Sequence, residues 1–170
     1  MLKKFHSMHT SGGYSLIEMM IYVVVLSSLL TVVIFNMITM SRSYGRAVVA
    51  KNINNSAVDT IERITREVRN ASSIASIQVS PGGLTLNTKD SSGNATTEQI
   101  YTDNGTIKLR EGGVDFGPLT LAHVQANVTF TQVTGTTSKA VRVVLTLSNS
   151  AFGYSDTKTF YSAVVLRGAY

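Results

Sequence analysis

The chain has 170 residues, a formal net charge of +5, two prolines and neither cysteine nor tryptophan. That length allows one ordinary domain and argues against a multidomain enzyme. Without cysteine there is no disulfide scaffold, thiolate zinc site or thiol nucleophile, while the compartment stays open because exported proteins need not use disulfides.

The amino terminus carries Lys3 and Lys4, then Ser11-Gly12-Gly13-Tyr14. Residues 19–40 follow as 22 positions free of Lys, Arg, Asp, Glu, Pro and Gly. At ~1.5 Å per residue a helix of that length covers about 33 Å, which matches a bilayer core of roughly 30 Å. The only polar interruptions are Tyr22, Ser27, Ser28, Thr31, Asn36 and Thr39, so the segment reads as a membrane helix. A cleaved secretory signal needs an apolar run of only ~7–15 residues and a small-x-small site, for which Ser41-Arg42-Ser43 is a poor candidate. Lys3 and Lys4 favour a cytoplasmic amino terminus, and Arg42 and Arg46 on the far side dilute that bias.

Glu18 stands against this pattern, because a carboxylate at the bilayer centre costs on the order of 2.5–3.5 kcal/mol. One explanation is a capping box over Ser15-Leu16-Ile17-Glu18, with Glu18 reaching back to a free backbone N–H. Another is functional. Gly12-Gly13 gives the chain an open, pliable backbone at the membrane edge, which a protease can bind extended.

Lys3-Lys4, then Gly13-Tyr14-Ser15-Leu16-Ile17-Glu18 and a long apolar helix, resembles the class III signal of type IV prepilins and pseudopilins. The resemblance implies cleavage between Gly13 and Tyr14 by a membrane-embedded prepilin peptidase, and N-methylation of Tyr14 by the same enzyme. It implies that Glu18 pairs with the new amine of a neighbouring subunit and sets the register between helices. It also implies inner-membrane insertion with the head outside the cytoplasm, and partnership with other pilin or pseudopilin subunits and the assembly platform. Loss of the leader lowers the net charge from +5 to +3 by removing Lys3 and Lys4. Two departures are visible: Tyr14 stands where Phe or Met is commoner, and Phe35 stands where many major pilins have a helix-kinking Pro. The second, with the 159–167 ending, leans towards a minor subunit similar to PilW-like pilins or J-type pseudopilins of type II secretion.

Beyond the apolar segment, Ala57, Val58, Ile61, Ile64, Thr65, Val68 and Ala71 recur at three- and four-residue spacing, which predicts an amphipathic helix. Asp59 with Arg63 and Glu62 with Arg66 form acid-first pairs four apart. Gly45 and the polar run 52–56 leave open whether this helix continues the apolar one.

After Ile74 the pattern alternates with period two between turn signals at Pro81-Gly82-Gly83, residues 90–94, Asn104-Gly105, Gly112-Gly113, Gly135 and residues 149–153. An antiparallel sheet is expected. Asn104-Gly105 suits a two-residue type I′ turn joining strands near 98–102 and 106–110. Further strands are expected at 124–131 and 141–147, and a last one near 158–166 should turn Phe160, Val164 and Leu166 one way. The fold expected is therefore α+β and pilin-like: leader 1–13, apolar helix 14–40, amphipathic helix 41–74, and a sheet head 75–170 packed on the helix.

Enzyme chemistry is not expected. His6 and His9 lie in the leader and His123 is alone in the head, so no metal site, cofactor site or histidine base assembles. The loop Asp90-Ser91-Ser92-Gly93-Asn94 lacks the spacing and bidentate Glu of an EF-hand and reads as an ordinary turn. The glycine pairs lack the Lys-Ser/Thr that follows in a phosphate loop. Lys and Arg are scattered and the charge is small, so nucleic acid is not an expected partner.

Overall fold

The computed structural model describes residues 13–79, 82–135 and 139–167. Lys3, Lys4, His6, His9 and Pro81 lie outside the described residues. The chain separates into two compact units that divide between Ser41 and Arg42. One helix, α1 (Leu16–Asn70), has residues in both. Eight strands follow: β1 (Ser73–Gln78), β2 (Gly83–Lys89), β3 (Ala95–Asp103), β4 (Thr106–Glu111), β5 (Val114–Pro118), β6 (Val124–Thr134), β7 (Lys139–Ala151) and β8 (Tyr154–Val165). The architecture is α+β, as the periodicities predict.

In the first unit every side chain of residues 19–40 is exposed. This stretch of α1 is long and apolar enough to cross a membrane. In the second unit α1 runs unbroken through Gly45 and residues 52–56. Its buried residues are Gly45, Val49, Ile53, Ser56, Ala57, Thr60, Ile64, Glu67 and Val68, at steps of one, three and four. That seam differs from the one expected. Val58 is 61% exposed and stands outside it, while Ser56, Thr60 and Glu67 are within it. Both hydroxyls reach the chain between β5 and β6: Thr60 Oγ1 donates to the Leu119 carbonyl at 3.1 Å, and the Leu121 N–H donates to Ser56 Oγ at 3.2 Å. A polar position in a seam is tolerated when its hydrogen bond is supplied from the facing element.

The helix also ends at Asn70 rather than at residue 74. The N–H of Ser72 donates to the Asn87 carbonyl at 2.8 Å, and Ser73 pairs with Asn87, so residues expected in the last helical turn open the first strand. The expected ion pairs change partners too. Arg63 and Arg66 both turn to Glu67, with Nε to Oε1 distances of 2.5 and 3.6 Å, in place of Asp59 and Glu62. Glu67 is the carboxylate drawn into the seam, where an unpaired charge costs more than at the surface.

The strands make two antiparallel sheets instead of one, in the orders β1-β2-β3-β4-β5 and β6-β7-β8. The core draws on both sheets and the helix: Leu84, Leu86, Ile100, Ile107 and Leu109 from the first, Val128, Phe130, Val143, Leu145 and Leu147 from the second, Ile53, Ile64 and Val68 from α1. Asn104-Gly105 forms the expected tight turn, with φ of 48° and 72°, and fixes Asp103 opposite Thr106. Gly105 also docks the sheets: its carbonyl accepts from the Ala126 N–H at 2.7 Å, and a Cβ there would fall 1.9 Å from Gln125 Oε1. Phe160, Val164 and Leu166 share one face as predicted.

The turn expected over 149–153 is shorter than the sequence suggests. Asn149 is a buried strand residue opposite Val124 and Asp156, β7 continues to Ala151, and the turn is Phe152-Gly153 alone. Pairing with strands on both sides holds Asn149 extended against its local turn preference.

Candidate functional site

The residues singled out at the amino terminus lie together at the start of α1. Gly13, Tyr14 and Ser15 are outside the helix and exposed, and the first helical residue is Leu16. The Ser15 carbonyl accepts from the Met19 N–H at 3.2 Å, which makes Ser15 the cap residue. Glu18 is the half-buried residue of this first turn, and its Oε1 accepts from the Tyr22 hydroxyl at 3.4 Å, one turn on. The carboxylate thus points along the helix surface towards Tyr22, where the capping box would turn it back to the helix start.

The remaining polar side chains of residues 19–40 all bond within their own helix. Ser27 Oγ donates to the Val23 carbonyl at 2.7 Å, Ser28 Oγ to Val25 at 2.8 Å and Thr31 Oγ1 to Ser27 at 2.8 Å. Asn36 Nδ2 donates to Val32 at 3.0 Å and Thr39 Oγ1 to Phe35 at 2.9 Å. Each spans one turn or less, so no hydroxyl proton of this stretch needs a partner beyond the helix. This is the condition an apolar environment imposes on side-chain donors. Glu18 alone among residues 15–40 carries a charged group for which the helix offers no cation.

A second cluster was not legible as a site. Glu98 of β3 is 4% exposed and Glu67 of α1 is 8% exposed. Both line a cavity of about 450 Å³ with Arg63, Asn70, Ser72, Thr88, Lys89 and Glu111. Glu98 and Glu111 are direct cross-strand partners. Burial first, and then the Glu67 and Glu111 carboxylates, push the Glu98 carboxyl up to about 7, against a smaller opposing pull from Arg63. A signal for it exists in the sequence. A turn at Asn104-Gly105 dictates that positions 98 and 111 pair, which opposes two glutamates. What periodicity alone misses is Glu67 on the helix face above them. Chemically the cluster can hold and exchange a proton. Among the described residues no group of three or more His, Asp or Glu side chains is arranged to hold a metal ion.

The other candidates are structural. Asp90 Oδ1 accepts from the Ser92 and Asn94 N–H groups at 2.8 Å each, and these bonds, Asn94 foremost, hold the carboxyl below its ordinary value. The turn's own amides use the carboxylate, as an ordinary Asx turn requires. His123 is exposed with φ of 72° in the turn before β6. On the first sheet, Arg110 bonds Asp115 through Nε at 2.7 Å and lies 5.0 Å from the Tyr101 ring centroid, a surface network across β3, β4 and β5.

No family model, curated protein or solved structure matches this chain.

Proposed function

We propose that the chain is a structural subunit of a type IV pilus-like or type II secretion filament, cleaved after Gly13, N-methylated at Tyr14 and assembled through its apolar helix. The observation that carries this reading is the order Gly13, Tyr14, Glu18 and then a fully exposed apolar helix whose polar side chains are satisfied internally. A surface of that kind is covered by lipid while the subunit waits in the inner membrane, and by neighbouring helices once it is packed. In both settings Glu18 is the costly group. Processing supplies its partner, since cleavage leaves a cationic amine at Tyr14 four residues away. Pairing between subunits rewards one vertical register of helices and penalises the others.

The partners are the prepilin peptidase, other pilin or pseudopilin subunits and the assembly platform, with the head outside the cytoplasm. Phe35 in place of a kinking Pro favours a minor subunit.

Mass spectrometry of the mature chain tests the reading. A terminus at N-methyl-Tyr14 supports it. An intact Met1, or a cut near Ser43, overturns it and leaves a single-pass anchored domain that does not polymerise.

A further inference from the structure

The β7–β8 turn is built from a residue poorly suited to it. Phe152 has φ of 53° and is followed by Gly153 at 73°. Left-handed backbone is costly for a bulky side chain, and Asn or Gly would make this turn without strain. Burial offsets little of this, since Phe152 is 65% exposed. Strain retained for an exposed aromatic points to a use outside the isolated fold.

The position of the turn suggests what that use is. Tyr44 of α1 meets Phe152 edge-on, with ring centroids 5.4 Å apart and planes at 62°. Tyr44 is itself 60% exposed. Gly45 permits the approach, because a Cβ there would lie 3.2 Å from Phe152 Cβ and 3.3 Å from the Ala151 carbonyl oxygen. Arg46 lies 5.5 Å from the centroid of the Tyr154 ring. Tyr44, Phe152 and Tyr154 with Arg46 thus form one cluster, and Arg42 lies two residues before Tyr44. The sequence has no acidic residue between Glu18 and Asp59, so the basic charge of this region is not offset along the helix.

Chain length limits how far the cluster can stand from the apolar segment. Tyr44 is four residues beyond Met40, and four residues reach at most about 14 Å even when fully extended. The headgroup region flanking a ~30 Å hydrocarbon core is several ångströms deep on each side. Aromatic side chains with neighbouring Arg are the composition favoured there.

We propose that the β7–β8 turn is a second membrane contact, in which Phe152 and Tyr44 seat in the interface of the phospholipid bilayer that residues 19–40 cross, and Arg42 and Arg46 meet lipid phosphates. This rests on the membrane reading of the apolar segment and belongs to the subunit before it enters a filament. It gives Gly45 a role that helix propensity does not: admitting the turn to the helix surface next to the bilayer.

The absence of tryptophan makes the test direct, since any introduced indole is the sole one. Phe152→Trp, Tyr44→Trp, Leu30→Trp and Phe116→Trp variants of the full chain are reconstituted in phosphatidylethanolamine/phosphatidylglycerol vesicles containing acyl-brominated lipid. Leu30 reports the apolar segment, and Phe116 an exposed aromatic of β5. Bromine is expected to quench Leu30→Trp strongly, and Phe152→Trp and Tyr44→Trp to an intermediate degree with blue-shifted emission, while Phe116→Trp is unaffected. If Leu30→Trp is quenched but the Phe152 and Tyr44 probes match Phe116→Trp, the membrane contact is wrong and the span stands. If Leu30→Trp escapes quenching, the membrane reading falls and takes this inference with it.

Discussion

The two parts of α1 have the same backbone and opposite arrangements of side chains. Over residues 19–40 no side chain is buried, and polar groups bond back to their own helix. Beyond Arg42 a seam of nine residues is buried, and its hydroxyls meet another element, Ser56 and Thr60 bonding to the β5–β6 connection, while Glu67 pairs with Arg63 of the same helix beside the acidic cavity. The first part is complete in its hydrogen bonds and incomplete in its packing. The second is packed, and its buried hydroxyls find their partners in the facing chain. A helix whose apolar surface is left open but whose donors are all satisfied is prepared for an apolar environment that the chain does not itself supply.

The sharpest way to break this contrast is to cut a large apolar side chain from each part. Ile64→Ala removes a side chain that is 1% exposed and is expected to lower the stability of the head by about 2–5 kcal/mol. Leu29→Ala, at a residue 59% exposed, should leave it unchanged. Urea unfolding of the full chain in detergent, followed by the β-sheet signal in circular dichroism, reads both. Equal losses would mean that the apolar segment is part of the head's core.

The next effect separates Glu98, buried in the polar cavity of the head, from Glu18 on the exposed apolar stretch. Glu98 has its carboxyl raised to about 7 in the folded chain, against about 4.5 unfolded. The sign follows from which state ionises first. Below pH 4.5 Glu98 is protonated in both states and costs nothing. As pH rises the unfolded chain ionises first, so stability falls until about pH 7 and is then flat. Glu98→Gln should therefore stabilise the head by about 1–3 kcal/mol at pH 8 and leave it near neutral at pH 4. A stabilisation independent of pH would show that repacking, and not charge, is responsible. In Glu18→Ala no gain in head stability is expected, and the loss should appear in filament assembly, measured in a sheared fraction, with cleavage after Gly13 intact. Normal incorporation of that variant would remove the register role.

How much of this was legible depends on whether the information was local. The apolar segment and the Asn104-Gly105 turn are properties of adjacent residues, and they read correctly. The close approach at Gly45 could not be read, because what a Cβ there would meet is Phe152, more than a hundred positions away. The seam was misread for the same cause. Val58 is more apolar than Thr60, yet Thr60 is buried because the Leu119 carbonyl is there to accept its proton. Glu67 lies outside the apolar positions that predict the helix, and it is the pairing of β3 with β4 that brings Glu98 and Glu111 to its cavity. The pattern of Gly13, Tyr14 and Glu18 is short-range as well, which is why these residues could be named, whereas the acidic cavity needs three elements at once.

A smaller effect tests the link between helix and loop. Ser56→Ala and Thr60→Ala each remove one hydrogen bond and leave a backbone group of residues 119–121 unpaired. A cost of about 1 kcal/mol is expected for each. Faster hydrogen exchange at the Leu121 amide, which donates to Ser56 Oγ at 3.2 Å, should accompany Ser56→Ala and not Thr60→Ala.

The smallest expected effect is the most telling about the exposed part of α1. Thr31 Oγ1 donates to the Ser27 carbonyl and Ser27 Oγ donates to the Val23 carbonyl, so each hydroxyl bonds separately to the backbone of the preceding turn. Both protons are satisfied before any neighbour arrives. In an apolar surrounding such a hydroxyl adds little to helix association, and back-bonding to the preceding turn slightly disfavours the helix. Alanine removes the hydroxyl and restores the best helix former. Thr31→Ala is therefore expected to change head stability by no more than about 0.5 kcal/mol and to leave the amount of subunit in a sheared filament fraction unchanged. A clear drop in incorporation, with the head unaffected, would mean that Thr31 leaves the Ser27 carbonyl to bond a neighbouring subunit, and would add a specific polar contact to the packing proposed for Glu18.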